Sequence, residues 1–149
     1  MKINSIYHSY SKLINGLIFG ITLLILTVLH PVVAFRYDCR LYWELTHSFD
    51  VDGVFSLLNF KEALRGVLFS IFLYPSLKIS QVFHFNEILT CRVYLILIYS
   101  AIFAFLLPKA FEAFIGTKLQ AMKQAILGAL LLIFWWEYFT LPLTDMLGM

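Results

Sequence analysis

Apolar and polar positions fall in long blocks along this chain, not in residue-by-residue alternation. After a polar start, MKINSIYHSYSK, an apolar run covers 13–35. At about 1.5 Å per residue, a run of that length crosses a hydrocarbon layer roughly 30 Å thick. It exceeds the apolar core of a signal peptide, about 7–15 residues, and HPVVAF at its end makes a poor cleavage site. It reads as a retained spanning helix, kinked near its outer end by Pro31. A polar stretch follows, from 36 to 65. Within it, DCRLYWELTHSF sets Leu41, Leu45 and Phe49 at helical spacing, with Arg40 and Glu44 on another face. This pattern predicts an interfacial amphipathic helix at about 39–49. VDGVFSLLNF then reads as a turn and an extended link, broken at Gly53.

Three more apolar stretches follow, at 66–79, 88–108 and 124–141. The first is short and contains Pro75, so it reads as a re-entrant or interfacial helix. The second runs to Pro108. The third ends in WWEYF, an aromatic cluster suited to headgroup level. The prediction is an all-α integral membrane protein of three transmembrane helices, 13–35, 88–108 and 124–141. It forms one membrane domain over 1–149. An outer loop, 36–86, carries juxtamembrane helices at about 39–49 and 66–79, and 109–123 is a cytoplasmic loop. If 66–79 also crosses, there are four spans. The lysine excess of 109–123, Lys109, Lys118 and Lys123 against Glu112, favours three, because it puts that loop and the N-terminal lysines on the cytoplasmic side. No GxxxG dimerisation pattern is expected in the apolar runs, so they name no helix-packing interface.

Composition strengthens this picture. Hydrophobic residues are 61% and charged residues 13% of the chain, against roughly 45–50% and about 25% in soluble domains. Mean hydropathy is +0.85. The expected location is the inner or plasma membrane, with lipid as the first partner. A formal net charge of +2 gives no case for nucleic acid. Cys39 and Cys91 stand outside any CxxC or Cys/His cluster, and the four histidines are scattered. No metal site is visible.

Candidate chemistry concentrates in the loop after the first span. Asp38 lies a few residues past it and could serve as a general base towards a hydroxyl. Arg36, Arg40 and Arg65 could hold a phosphate by charge-assisted hydrogen bonds. Each also has a structural explanation. Asp38 can cap the helix at 39–49, Arg40 and Glu44 can be an i,i+4 pair, and Asp50 and Asp52 beside Gly53 can be turn residues. Asp145 follows the third span, on the same side as Asp38 in the three-crossing arrangement. It can equally be an interfacial end residue.

Three segments, RYDCRLYWELTHSF (36–49), GVFSLLNFKEALRGVLFSIFLYP (53–75) and FWWEYFTLPLTDM (134–146), together resemble the N-terminal part of the polytopic GT-C glycosyltransferases, the family 39 and protein-mannosyltransferase relatives. The resemblance implies sugar transfer from a polyprenyl-phosphate carrier on the outer membrane face. It implies that Asp38 deprotonates or orients the acceptor hydroxyl, that Asp145 is a second catalytic acid, and that Arg65 approaches the carrier phosphate. Some relatives pair two acids at the first position and use a divalent cation. Here Cys39 follows Asp38, so that pair is absent. The chain covers the first quarter to third of such proteins. The expectation is therefore an incomplete donor groove, inactive alone, unless a second chain supplies the missing helices. The competing expectation is a small non-catalytic multi-pass protein that packs against partner helices.

Overall fold

The computed structural model describes residues 2–58 and 67–142. Their order is α1 (Lys2–Leu29), α2 (Tyr37–Ser48), β1 (Asp50–Val51), β2 (Val54–Phe55), α3 (Val67–Phe83), α4 (Glu87–Ala101), a π-helical turn (Ile102–Leu106), α5 (Leu107–Ile115), α6 (Ala121–Trp135) and a 3-10 turn (Tyr138–Thr140). Two helical segments are long and apolar enough to cross a membrane, Tyr10–Leu29 and Glu87–Ile115. The α3 and α6 helices are apolar but shorter. The chain divides into two compact units: the chain up to His30 with Ile96–Phe139, and Pro31–Leu95 with the chain from Thr140 on.

The boundaries of the first unit follow from its prolines and glycines. The first span was expected to run to Phe35, yet α1 stops at Leu29. The residue before a proline is pushed out of helical conformation, and His30 precedes Pro31. The last bond of the ladder is His30 N–H to Leu26 O, at 2.9 Å. At Pro108 the opposite happens. The sequence ended the second span there and read 109–123 as a loop, but the helix continues through Pro108 to Ile115 and stops at Gly116. Gly116 takes the left-handed conformation (φ 75°) that favours glycine and donates its N–H to Glu112 O at 3.0 Å.

Pro108 is tolerated because the ladder shifts register. Leu107 N–H bonds to Ile102 O, an i→i−5 step. In that register the next donor, for Phe103 O, would be the N–H of residue 108, which proline lacks. The orphaned carbonyl is taken by Gln124, whose Nε2 donates to Phe103 O at 2.7 Å. Asn15 Nδ2 in turn donates to Ala121 O at 2.8 Å and to Gln124 Oε1 at 3.4 Å. Three helical segments are thus joined by one polar network inside apolar sequence. Gln124 is fully buried.

Packing closes around that network. Phe19, Leu23, Ile96 and Phe103 form the core, and Leu131, Trp136 and Phe139 lie against it. The Phe19 and Phe103 rings stack with centroids 4.5 Å apart. Gly128 makes room for Phe103, since a Cβ there would come within 2.7 Å of its ring. Gly16 and Gly20, four residues apart on α1, form a GxxxG seam, which corrects the expectation that no such pattern runs through an apolar segment. A Cβ on Gly16 would overlap Ala104, and one on Gly20 would overlap the Ser100 hydroxyl. Such notches let helix backbones approach closely where no water drives association.

In the second unit, α2 packs on α3. Thr46 Oγ1 donates to Tyr42 O at 2.8 Å and Ser70 Oγ to the same carbonyl at 3.4 Å. Tyr42 meets Phe69 edge-on, with centroids 5.1 Å apart. Where a turn and a link were expected, residues 50–55 form a two-stranded antiparallel hairpin, pairing Asp50 with Phe55 and Val51 with Val54. Its two-residue turn is Asp52-Gly53, with φ of 51° and 82°. Positive φ at both central positions is the type I′ geometry that Asp-Gly favours.

Gly16→Ala and Gly20→Ala test the seam. Alanine exceeds glycine in helix propensity by about 1 kcal/mol, yet overpacking costs about 1–3 kcal/mol. Both variants should unfold at lower temperature than the parent in detergent. A rise in unfolding temperature would show the seam to be open.

Candidate functional site

The residues singled out from sequence sit at the start of α2. Arg36 occupies the N-cap position in extended conformation and makes no side-chain cap bond. Asp38, expected as the cap, instead lies in the first turn. There its charge still complements the helix N-terminus. Both residues are exposed. Tyr37, between them, has φ 51° and is 90% exposed. A bulky residue in the left-handed region costs of order 1–3 kcal/mol, a form of strain that clusters at functional sites. Arg40 is committed to Glu44, one helical turn on, at 2.6 Å. Arg65 and Asp145 lie outside the described residues, so the two acids are not brought together by anything described.

The structure assembles a different polar group from residues 28 to 40 positions apart. Asp50, on the first hairpin strand, receives Lys78 Nζ on Oδ1 at 2.8 Å and Gln81 Nε2 on Oδ2 at 2.7 Å. Beside it, His47 Nε2 lies 3.1 Å from Glu87 Oε2. His47 belongs to the end of α2 and Glu87 to the first turn of α4. The His47 ring also meets Trp43 edge-on at 5.4 Å. Sequence reading named Asp50 only as a turn residue and gave no role to Lys78, Gln81 or Glu87. The usable signal was the Asp-Gly turn, which fixes Asp50 as a strand residue pointing at whatever helix the hairpin lies on. Nothing local said that α3 was that helix.

The chemistry open to this group is limited by its own bonds. Both oxygens of Asp50 are occupied, and the Lys78 ammonium, then the Gln81 amide, hold its carboxyl below the usual carboxylate range. Attraction from His47 adds to that. It is a clasp between hairpin and α3, poorly suited to taking a proton. The His47–Glu87 pair is about 40% exposed on each side. Cys39 is buried, and burial pushes its thiol up, so it is protonated at neutral pH and a poor nucleophile. Among the described residues no three His, Cys, Asp or Glu side chains converge as metal ligands. A cleft of about 140 Å³ in the first unit is lined by apolar side chains and Asn15 and by none of the candidate residues.

No family model matches the chain, no curated protein matches it, and no solved structure matches its fold.

Asp50 gives a pH signature. Its folded pKa is lowered, so its bonds stabilise the fold above the unfolded carboxylate value, about 3.9, and that contribution is lost as pH falls through the lower folded value. Asp50→Asn should therefore melt below the parent at about pH 7, with the gap closing only below about pH 4. Equal melting temperatures at neutral pH would show that the clasp contributes nothing.

Proposed function

We propose that the chain is a multi-pass protein of the inner or plasma membrane that resembles the N-terminal membrane portion of a glycosyltransferase using a polyprenyl-phosphate-linked sugar donor, incomplete and inactive alone. The membrane part of this reading is supported by how α1 presents its apolar side chains. Only 22% of the Tyr10–Leu29 segment is buried. Ile14, Leu17, Ile18, Ile21, Ile25 and Val28 are all more than half exposed. A core helix of a water-soluble protein has its apolar stripe covered. Here the uncovered side chains need an apolar solvent. The three crossings are α1, the continuous α4–α5 segment, and α6 with its following aromatic residues. The segment holding α2, the hairpin and α3 then lies on the outer side, and the basic residues Lys118 and Lys123 on the cytoplasmic side.

The glycosyltransferase part rests on one observation. Arg36 and Asp38 flank the left-handed Tyr37 and are exposed, a few residues past the end of α1 at Leu29. In this reading Arg36 meets the carrier phosphate, and Asp38 orients the acceptor hydroxyl. Arg40, closed on Glu44, contributes less. The second reading, a non-catalytic protein that packs against partner helices, is favoured by the closed Arg40–Glu44 pair, which takes one phosphate candidate out of use.

Binding of a fluorescent polyprenyl phosphate to the chain in nanodiscs separates the two. A lost charge-assisted bond of about 1.5–3 kcal/mol weakens binding about tenfold or more. Arg36→Ala should do this, while Lys118→Ala, on the other side, should not. In any preparation that transfers sugar, Asp38→Asn should abolish transfer and leave membrane insertion intact. Equal affinity for the parent and both alanine variants would remove the donor assignment and leave the packing reading.

A further inference from the structure

The side chains of α3 are distributed in the reverse of the order water would select. Around its axis they form three faces. One is buried and carries Ser70, Ser76 and Ser80 among Phe69, Leu73 and Leu77. Ser76 and Ser80 turn their hydroxyls back onto Leu73 O and Leu77 O, at 2.7 Å each. A second flank carries Lys78 and Gln81, bonded to Asp50 of the hairpin, and Tyr74, packed on Phe55 with centroids 4.9 Å apart. The third runs through Leu68, Pro75, Ile79 and Val82. These positions lie within a narrow arc at 3.6 residues per turn, and all four are exposed. Leu68 is 78% and Val82 69% exposed. The hydroxyls thus face the protein and an unbroken apolar stripe faces away from it.

We propose that this third face of α3 packs against the acyl chains of the bilayer. The inference rests on the membrane reading above and extends it to α3, a helix that reading does not count among the crossings, whose described part is Val67–Phe83. Lipid fits better than a second helix. Helices that pair inside membranes meet on small residues, and the serines of α3 are on the buried face. The stripe offers branched side chains and a proline, with no notch and no polar atom to bond a partner. Acyl chains ask for neither. The polar flank is already covered by the hairpin, so α3 can lie in hydrocarbon without an unpaired charge.

Spin-label accessibility tests this. Single cysteines are placed at Leu68 and Ile79, with Ile18→Cys on α1 and Val33→Cys beyond its end as references, in a chain whose Cys39 and Cys91 are replaced by alanine. After reconstitution, labels at 68 and 79 should be reached by oxygen in preference to a water-soluble nickel chelate, as at 18, with the opposite preference at 33. Preference for nickel at 68 and 79, with 18 still in lipid, overturns the proposal and leaves the membrane reading standing. Immobile labels shielded from both agents overturn it in favour of a protein partner. Nickel preference at 18 as well removes the membrane reading and this inference with it. If the cysteine replacements prevent folding, a lipid-soluble diazirine applied to the unaltered chain serves instead. It should label the peptide containing 68–82, and absence of label there, with label on α1, overturns the proposal.

Discussion

A single missing N–H organises the first unit. Pro108 cannot donate to Phe103 O, and the π register that accommodates the proline leaves that carbonyl without a ladder partner. In water the cost would be small, because solvent would take the bond. In an apolar medium an unpaired amide group costs several kcal/mol. Gln124 removes that cost at 2.7 Å. To do so it must sit fully buried in the first turns of α6, which fixes where α6 begins relative to the bulge. Asn15 then satisfies the other end of the Gln124 amide and ties in α1. The glycine seam and the Phe19–Phe103 stack complete the packing of an arrangement already specified by hydrogen bonds.

The second unit obeys the same constraint with smaller groups. Tyr94 OH donates to Phe72 O at 3.0 Å, one residue past Ile71, whose carbonyl Pro75 cannot serve within α3. Thr46 and Ser70 share the carbonyl of Tyr42. The one ammonium on α3 is matched by Asp50. Charge on α3 is thereby kept to its hairpin side, Arg36 and Asp38 are exposed at the start of α2, and the buried Arg92 of α4 donates to Thr140 Oγ1 at 3.2 Å. The clasp at Asp50 holds the hairpin against α3.

Helical class and the position of α2 were legible from block hydropathy, because those features depend on composition over ten or more residues, whereas the helix expected to end at Ile79 runs on to Phe83. The ends of elements were less so. Pro31 and Pro108 carry the same local signal, yet one stops a helix and the other is absorbed, and the difference lies in a glutamine 16 positions downstream (124 against 108). The hairpin was written in Asp52-Gly53 but was overlooked between longer apolar runs. The Gly16–Gly20 spacing was equally visible and equally overlooked. The Asp50–Lys78–Gln81 clasp and the His47–Glu87 pair were not legible, since they join elements whose adjacency no local pattern encodes. For Asp38 the sequence located the residue correctly at a helix start, but the cap position belongs to Arg36.

The most direct test of this account is a double-mutant cycle between Pro108 and Gln124, read by equilibrium unfolding in detergent micelles or bicelles. Gln124→Leu alone strands the Phe103 carbonyl and should cost about 1–3 kcal/mol. Pro108→Ala restores an N–H at the position that the carbonyl lacks. In that background Gln124→Leu should cost markedly less, giving a coupling energy of order 0.5–3 kcal/mol. Additive effects, with Gln124→Leu equally damaging whether residue 108 is proline or alanine, would contradict the claim that the glutamine is there to satisfy the carbonyl the proline orphans.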